Sequence, residues 1–128
     1  MIVGQAALKS GLPAKTLRYY EEIGLVEPRR LNNGYRDYSN EDLARLKFLG
    51  RARSLGFSIE DCRILLSLCD DEERSSRDVK ALAKAHLEKI EAKIVKLETM
   101  RQAMKKLVSS CHGDERSECP ILDELASD

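Results

Sequence analysis

The chain has 128 residues, enough for one small domain and an extension. Lys and Arg together number 22, as do Asp and Glu, so the formal net charge is zero, and with 42% hydrophobic residues this excludes a disordered polyelectrolyte tail. Aromatics at 5% with no Trp leave an aliphatic core, and 7 Gly with 3 Pro are too few for the turns of an all-β sandwich, so the expected fold class is mainly α.

Zero net charge conceals an asymmetry. Residues 1–58 hold ten Lys/Arg against six Asp/Glu, whereas residues 59–128 hold twelve against sixteen. The first part is suited to a polyanion and the second repels one. Met1-Ile-Val-Gly-Gln carries no basic run, and no long apolar stretch occurs anywhere. Neither a signal peptide nor a membrane span is expected, and a cytoplasmic location is. In that reducing compartment the four cysteines (Cys62, Cys69, Cys111 and Cys119) read as packing, metal-binding or redox thiols rather than a disulfide framework.

In chain order, Val3, Ala6, Ala7 and Leu8 have helical spacing, and Gly11 stops the segment. Pro13 suits the first turn of a second helix, which runs through Leu17 to about Ile23, with Gly24 as its stop. Two short helices joined by Ser-Gly-Leu make a helix-turn-helix. Between Leu25 and Tyr38, Asn33-Gly34 signals a hairpin whose turn needs positive φ, and the short flanks make a two-stranded wing. Ser39-Asn-Glu-Asp and Ser58-Ile-Glu-Asp cap two further helices. The first carries Leu43, Leu46, Leu49 and Ala52 and breaks at Gly56. The second carries Ile59, Cys62, Leu65, Leu66 and Cys69, with both cysteines expected in the core as small apolar side chains.

From Asp78 to about Ser109 there is no Gly or Pro. Positions 83, 87, 90, 94, 97, 101, 104 and 108 hold Ala, Leu, Ile, Ile, Leu, Arg, Met and Val, in steps of four and three. A run of ~30 residues is roughly 45 Å of helix. Little chain remains to cover this seam, so a helix from a second copy is expected, giving a homodimer. His86 is expected at the surface or interface. The organisation is therefore a winged helix-turn-helix domain (1–70), a polar linker (71–77), a dimerisation helix (78–109), and a cysteine-bounded loop with a short C-terminal helix (110–128).

The second helix presents Lys15, Thr16, Arg18, Tyr19 and Tyr20, and the wing adds Arg29, Arg30, Tyr35 and Arg36. Arg18 can read a guanine edge or pair with phosphate, and cations interleaved with Tyr hydroxyls suit a duplex backbone. The alternative is a solvated basic face with Tyr19 or Tyr20 in the core. Spacing does not choose between them, because consecutive helical residues point ~100° apart.

Cys111 and Cys119 bracket a polar loop containing His112 and Gly113. Two thiolates alone satisfy Cu(I), Ag(I) or Au(I), whereas Zn²⁺ normally takes four ligands, and His112 is the one nearby candidate for a third. Two thiolates with a monovalent ion leave a charge of −1, which needs a cation or a helix N-terminus. The start of the long helix, Ser75-Ser76-Arg77-Asp78-Val79-Lys80, offers Lys80 and free backbone N–H groups, if it comes from a partner subunit. A disulfide, or two unrelated thiols, are the other readings.

Thr16-Leu-Arg-Tyr-Tyr-Glu-Glu-Ile-Gly-Leu, Asn33-Gly-Tyr-Arg-Asp-Tyr and Leu55-Gly-Phe-Ser-Ile-Glu make the chain resemble the MerR family of transcription regulators. Cys111, Gly113-Asp114, Cys119-Pro-Ile-Leu and Ser76 ahead of Asp78-Val-Lys are similar to its copper-efflux, CueR/HmrR-like branch. The resemblance implies an antiparallel dimer, Cu(I) held by Cys111 and Cys119, and Ser76 of the partner as the position selecting monovalent ions. It places Arg18, Tyr20, Tyr35 and Arg36 at DNA contacts. It implies double-stranded promoter DNA and RNA polymerase as partners, with the metal form distorting an overlong promoter spacer to activate transcription. His112 and Ser117 depart from residues seen in other members and leave the preference among Cu(I), Ag(I) and Au(I) open. A thiol redox regulator on the same scaffold is the alternative. A drug-binding regulator would need more chain after Ser109, and no nucleophile–base pair suggests an enzyme.

Overall fold

The computed structural model describes residues 1–127; Asp128, the last residue of the expected tail, lies outside the described residues. The chain forms α1 (Val3–Ser10), α2 (Ala14–Glu22), β1 (Arg29–Arg30), β2 (Arg36–Asp37), α3 (Asn40–Ser54), α4 (Ile59–Asp70), α5 (Ser76–Ser110) and α6 (Pro120–Ala126). It divides into two compact units, residues 1–82 and 83–128.

In the first unit, helix ends coincide with the local signals. Gly11 takes the left-handed conformation (φ 75°), and its N–H donates to Ala7 O at 3.0 Å. Pro13 is the N-cap of α2, one position ahead of the first turn, and Gly24 follows the C-cap at φ 79°. Ser39 and Asp42 form a reciprocal capping box at the start of α3. The Ser58 hydroxyl accepts from Asp61 N–H at 3.1 Å and starts α4.

The wing pairs Arg29 with Asp37 and Arg30 with Arg36, antiparallel. Its turn differs from a two-residue Asn-Gly turn, which would need positive φ at both residues. Gly34 alone has positive φ (85°), and no non-glycine residue described does. Gly34 N–H donates to Leu31 O at 2.9 Å and Leu31 N–H to Tyr35 O at 2.8 Å, which makes a three-residue loop closed by a glycine bulge. The Asn33 side chain accepts from Tyr35 N–H at 3.1 Å. Met1 lies along β2, accepting from Tyr38 N–H at 2.7 Å, while its amino group donates to Asp37 Oδ1.

The core gathers Ala6 of α1, Leu17 and Tyr20 of α2, Leu25 and Val26, Tyr38 after the wing, Leu46, Leu49 and Ala52 of α3, and Cys62 and Leu66 of α4. α1 packs on α2 and α3, and α3 on α4. Cys69 departs from expectation: Cys62 is fully buried but Cys69 is exposed. The two share a helical face, yet Leu66 is the last buried residue of α4, and the final turn carries Cys69 past the core.

The polar linker ends earlier than the composition suggested, because α5 already begins at Ser76. This helix of 35 residues has no buried side chain. Leu87, Ile94, Leu97, Met104 and Val108 of its four-three seam are all exposed. After α5 comes the cysteine loop, and then α6 with Pro120 in its first turn. No helix among the described residues is long and apolar enough to cross a membrane.

Candidate functional site

α2 divides by periodicity. Leu17 and Tyr20, three apart, face the core, while Lys15, Arg18 and Tyr19 are exposed and Thr16 is half-buried. The two tyrosines are thereby assigned. Tyr19 is 46% exposed and Tyr20 only 4%: the Tyr20 ring is a core side chain, and Tyr19 is the tyrosine of α2 that lies at the surface. Burial pushes the Tyr20 hydroxyl above its ordinary value, partly offset by the guanidinium of Arg53 beside it. Arg53, which the sequence reading passed over, also donates to Phe57 O at 2.7 Å.

The wing lies beside α2. Arg18, Gly34, Tyr35 and Arg36 line one groove with Ile2 and Val3, of about 470 Å³. Residues singled out on two separate elements thus converge, and Tyr35 is 67% exposed there. Arg18 and Lys15 have no carboxylate partner among the described residues. Arg30 and Arg36 do have one. Arg36 Nε donates to Glu21 Oε2, and Arg30 Nη2 lies 3.8 Å from Glu21 Oε1. Sequence reasoning missed Glu21, whose only signal was an acid inside the most basic stretch. Asp37, the wing's own acid, is engaged by the Met1 amino group, which holds its carboxyl below the usual range. Beneath lies Tyr38, 1% exposed, its hydroxyl without a partner among the described residues. Unpaired cations on α2 and Glu21-paired arginines on the wing, with the exposed side chains of Tyr19 and Tyr35 on the same two elements, are groups that can engage phosphate and base edges.

The thiol loop belongs to the second unit. Cys111 follows α5 directly, its N–H donating to Val108 O at 3.3 Å. Cys119 is the N-cap of α6, its carbonyl accepting from Asp123 N–H at 3.0 Å. Both thiols are free and half-buried. Between them Gly113 takes positive φ (66°), and Asp114 accepts from Arg116 N–H at 3.0 Å and Nε at 2.8 Å. That pairing holds the Asp114 carboxyl below its ordinary value. His112 is exposed, and no group of three His, Cys, Asp or Glu among the described residues is placed to hold an ion. Cys111 and Cys119 thus bracket the loop, one directly after α5 and one at the N-cap of α6. Ser76 and Lys80 are exposed in the first two turns of α5, at the other end of that helix from Cys111.

Comparison with known proteins agrees with this architecture. The family described as MerR HTH family regulatory protein matches residues 1–69, and that described as MerR, DNA binding matches residues 43–107. The transcriptional regulator HmrR of Rhizobium leguminosarum bv. viciae is 51% identical over 98% of each chain. CueR of Salmonella typhimurium is 42% identical over 98% of this chain and 92% of its own. Among solved structures, the regulator PbrR691 of Ralstonia metallidurans CH34 in complex with lead(II) superposes with a TM-score of 0.84 at 34% identity, covering 98% of this chain and 99% of that one. A helix-turn-helix with a two-stranded wing leading into one long helix, matched over nearly its whole length by such regulators, makes this chain a member of the MerR family of transcription regulators.

Proposed function

We propose that this protein is a cytoplasmic, Cu(I)-responsive activator of copper-efflux promoters. It binds double-stranded promoter DNA as a homodimer through α2 and the wing. The single observation that carries the metal reading is the pair of free, half-buried thiols that bracket the loop after α5. Bound Cu(I), or Ag(I) or Au(I) in its place, would supply two strong metal–sulfur bonds closing the loop. The relatives HmrR and CueR, similar over nearly the whole chain, support a regulator of this branch. The −1 charge of two thiolates with a monovalent ion calls for compensation, which Lys80 and the exposed first turn of a partner's α5, beginning at Ser76, can provide. Activation follows if the metal form holds the two DNA-binding units so that an overlong spacer is distorted and RNA polymerase engages both promoter elements; this requires the ion to bind one global state better than the other.

The test is in-vitro transcription under strictly reducing, anaerobic conditions, with X-ray absorption on the loaded protein. Cu(I) is expected to activate, the absorption to report two sulfur ligands, and Cys111→Ser to abolish both. Activation by an oxidant without metal, and none by Cu(I), would instead establish a thiol redox switch. Ser76→Cys is expected to improve the response to Zn²⁺ or Hg²⁺; an unchanged response removes Ser76 from the site.

A further inference from the structure

We propose that Glu21 is a positioning residue for DNA recognition: it clamps the wing to α2 and orients Arg36 toward the nucleic acid. The inference rests on the reading that α2 and the wing meet a duplex. Glu21 sits at the end of α2 with its side chain 19% exposed, and its two carboxylate oxygens pair with one arginine from each wing strand, Arg36 of β2 and Arg30 of β1. This is the one contact joining α2 to both strands through charged groups among the described residues. Its surroundings distinguish it from a loose surface bridge. It lies over Tyr38, whose buried hydroxyl feels the charges of Glu21, Arg36 and Arg18. The Arg36 side chain lines the same groove as Arg18 and Tyr35.

Guanidinium chemistry explains why a carboxylate belongs on a face that must attract phosphate. The group is planar, with five N–H donors in a fixed fork. A carboxylate that takes Nε sets the plane of the fork and leaves the Nη donors for phosphate or a base edge. Long-range attraction alone would favour removing Glu21, because its charge opposes the phosphates. The two effects therefore predict opposite signs for the neutral isostere, which makes the role testable.

The experiment uses the full chain and a duplex that the wild-type protein enriches from a random-sequence pool, read by fluorescence anisotropy at fixed salt. Glu21→Gln is expected to bind this duplex about tenfold more weakly, the loss of one charge-assisted contact. Its affinity for unselected duplex is expected to stay equal or rise slightly, and its Cu(I) affinity to be unchanged. Glu21→Asp is expected to recover part of the loss. In an Arg36→Ala background Glu21→Gln should cost nothing further. Equal or tighter binding of the selected duplex by Glu21→Gln overturns the proposal, as does a full additional loss in the Arg36→Ala background. If Glu21→Gln fails to fold, Arg36→Lys replaces it, keeping the charge but losing the fork; wild-type affinity there also overturns the proposal. A wild-type protein that enriches no duplex refutes the DNA-binding reading itself, and the inference with it.

Discussion

Tyr19 and Tyr20 are chemically identical neighbours, and their different burial predicts that truncating them breaks different things. Tyr20 is 4% exposed and packs in a core that includes Leu17 of the same helix. Deleting a buried aromatic ring costs about 3–5 kcal/mol through lost transfer energy and the cavity left behind. Domains of this size are stable by only about 5–15 kcal/mol, so Tyr20→Ala should remove a large share of the stability. Tyr20→Phe keeps the ring and gives up only the hydroxyl beside Arg53, a cost of about 0.5–1.5 kcal/mol. Tyr19, 46% exposed, should shift stability by no more than about 0.5 kcal/mol on truncation to Ala, with the loss falling on duplex affinity instead. Urea unfolding followed by circular dichroism gives the first quantity and anisotropy with the selected duplex the second. Protomer concentration is held constant, since association would otherwise shift the midpoint. Should Tyr20→Ala cost under about 1 kcal/mol while weakening the duplex as much as Tyr19→Ala does, Tyr20 belongs to the recognition surface and the packing argument fails.

Three further outcomes follow from particular groups. Tyr38→Phe removes a buried hydroxyl with no partner among the described residues and should leave stability unchanged or raise it by about 1 kcal/mol in the same urea assay; a clear loss would mean that the hydroxyl is bonded in solution. Asp114 has a depressed carboxyl, so its clasp on Arg116 is complete above the ordinary carboxylate range and is lost only as pH falls through the lower folded value. Carboxyl-resolved NMR titration should show Arg116→Ala raising the Asp114 carboxyl toward its ordinary range, with the backbone N–H of residue 116 keeping part of the depression, and an unmoved titration would remove the side-chain pair. Cys62, fully buried and with its thiol pushed up by burial, should resist maleimide until the chain unfolds, whereas exposed Cys69 reacts in the native state; mass spectrometry locates the adducts, and early labelling of Cys62 would contradict its packing.

What was legible in the sequence is what short-range chemistry decides. Gly11, Gly24 and Gly56 end helices because each takes positive φ there, and Ser39 and Ser58 start helices because their hydroxyls satisfy the first free N–H groups. The convergence of Arg18 with Tyr35 and Arg36 was half legible: the sequence singled these residues out on two separate elements, but only the fold brings α2 and the wing to one groove. The misses needed three-dimensional information. Whether Tyr19 or Tyr20 turns inward depends on the rotation of α2 against α1 and α3. Whether Cys69 is covered depends on how far α4 outruns its neighbours. Glu21 was missed because its partner Arg36 lies fifteen positions away, across the turn and β1. At Asn33-Gly34 the signal was right and the geometry was not, since three loop residues rather than two satisfy the wing with positive φ at Gly34 alone.

The exposed seam of α5 and the two-thiol loop are connected under the proposed pairing. Leu87, Ile94, Leu97, Met104 and Val108 recur in steps of four and three, and every one of them is more than half exposed. An apolar row of this kind left exposed on a single chain is the surface that the proposed homodimer would cover. A repeat averaging 3.5 residues is satisfied by winding against a second helix, and Arg101, the one charged position on the seam, gives such a pairing a register to obey. When two identical helices of roughly 50 Å run antiparallel, the first turns of one lie beside the last turns of the other. In the proposed dimer, Ser76 and Lys80 of one copy would face the thiols of its partner, and the helix N-terminus would bring the partial positive charge that a dithiolate holding a monovalent ion requires. A divalent ion on the same two thiolates would be neutral and gain less from that environment. Under the proposed function, dimerisation and selection by charge would be one structural requirement, and a chain unable to pair through α5 is expected to keep its thiols yet lose the discrimination, which metal titration with Cu(I) and Zn²⁺ would read.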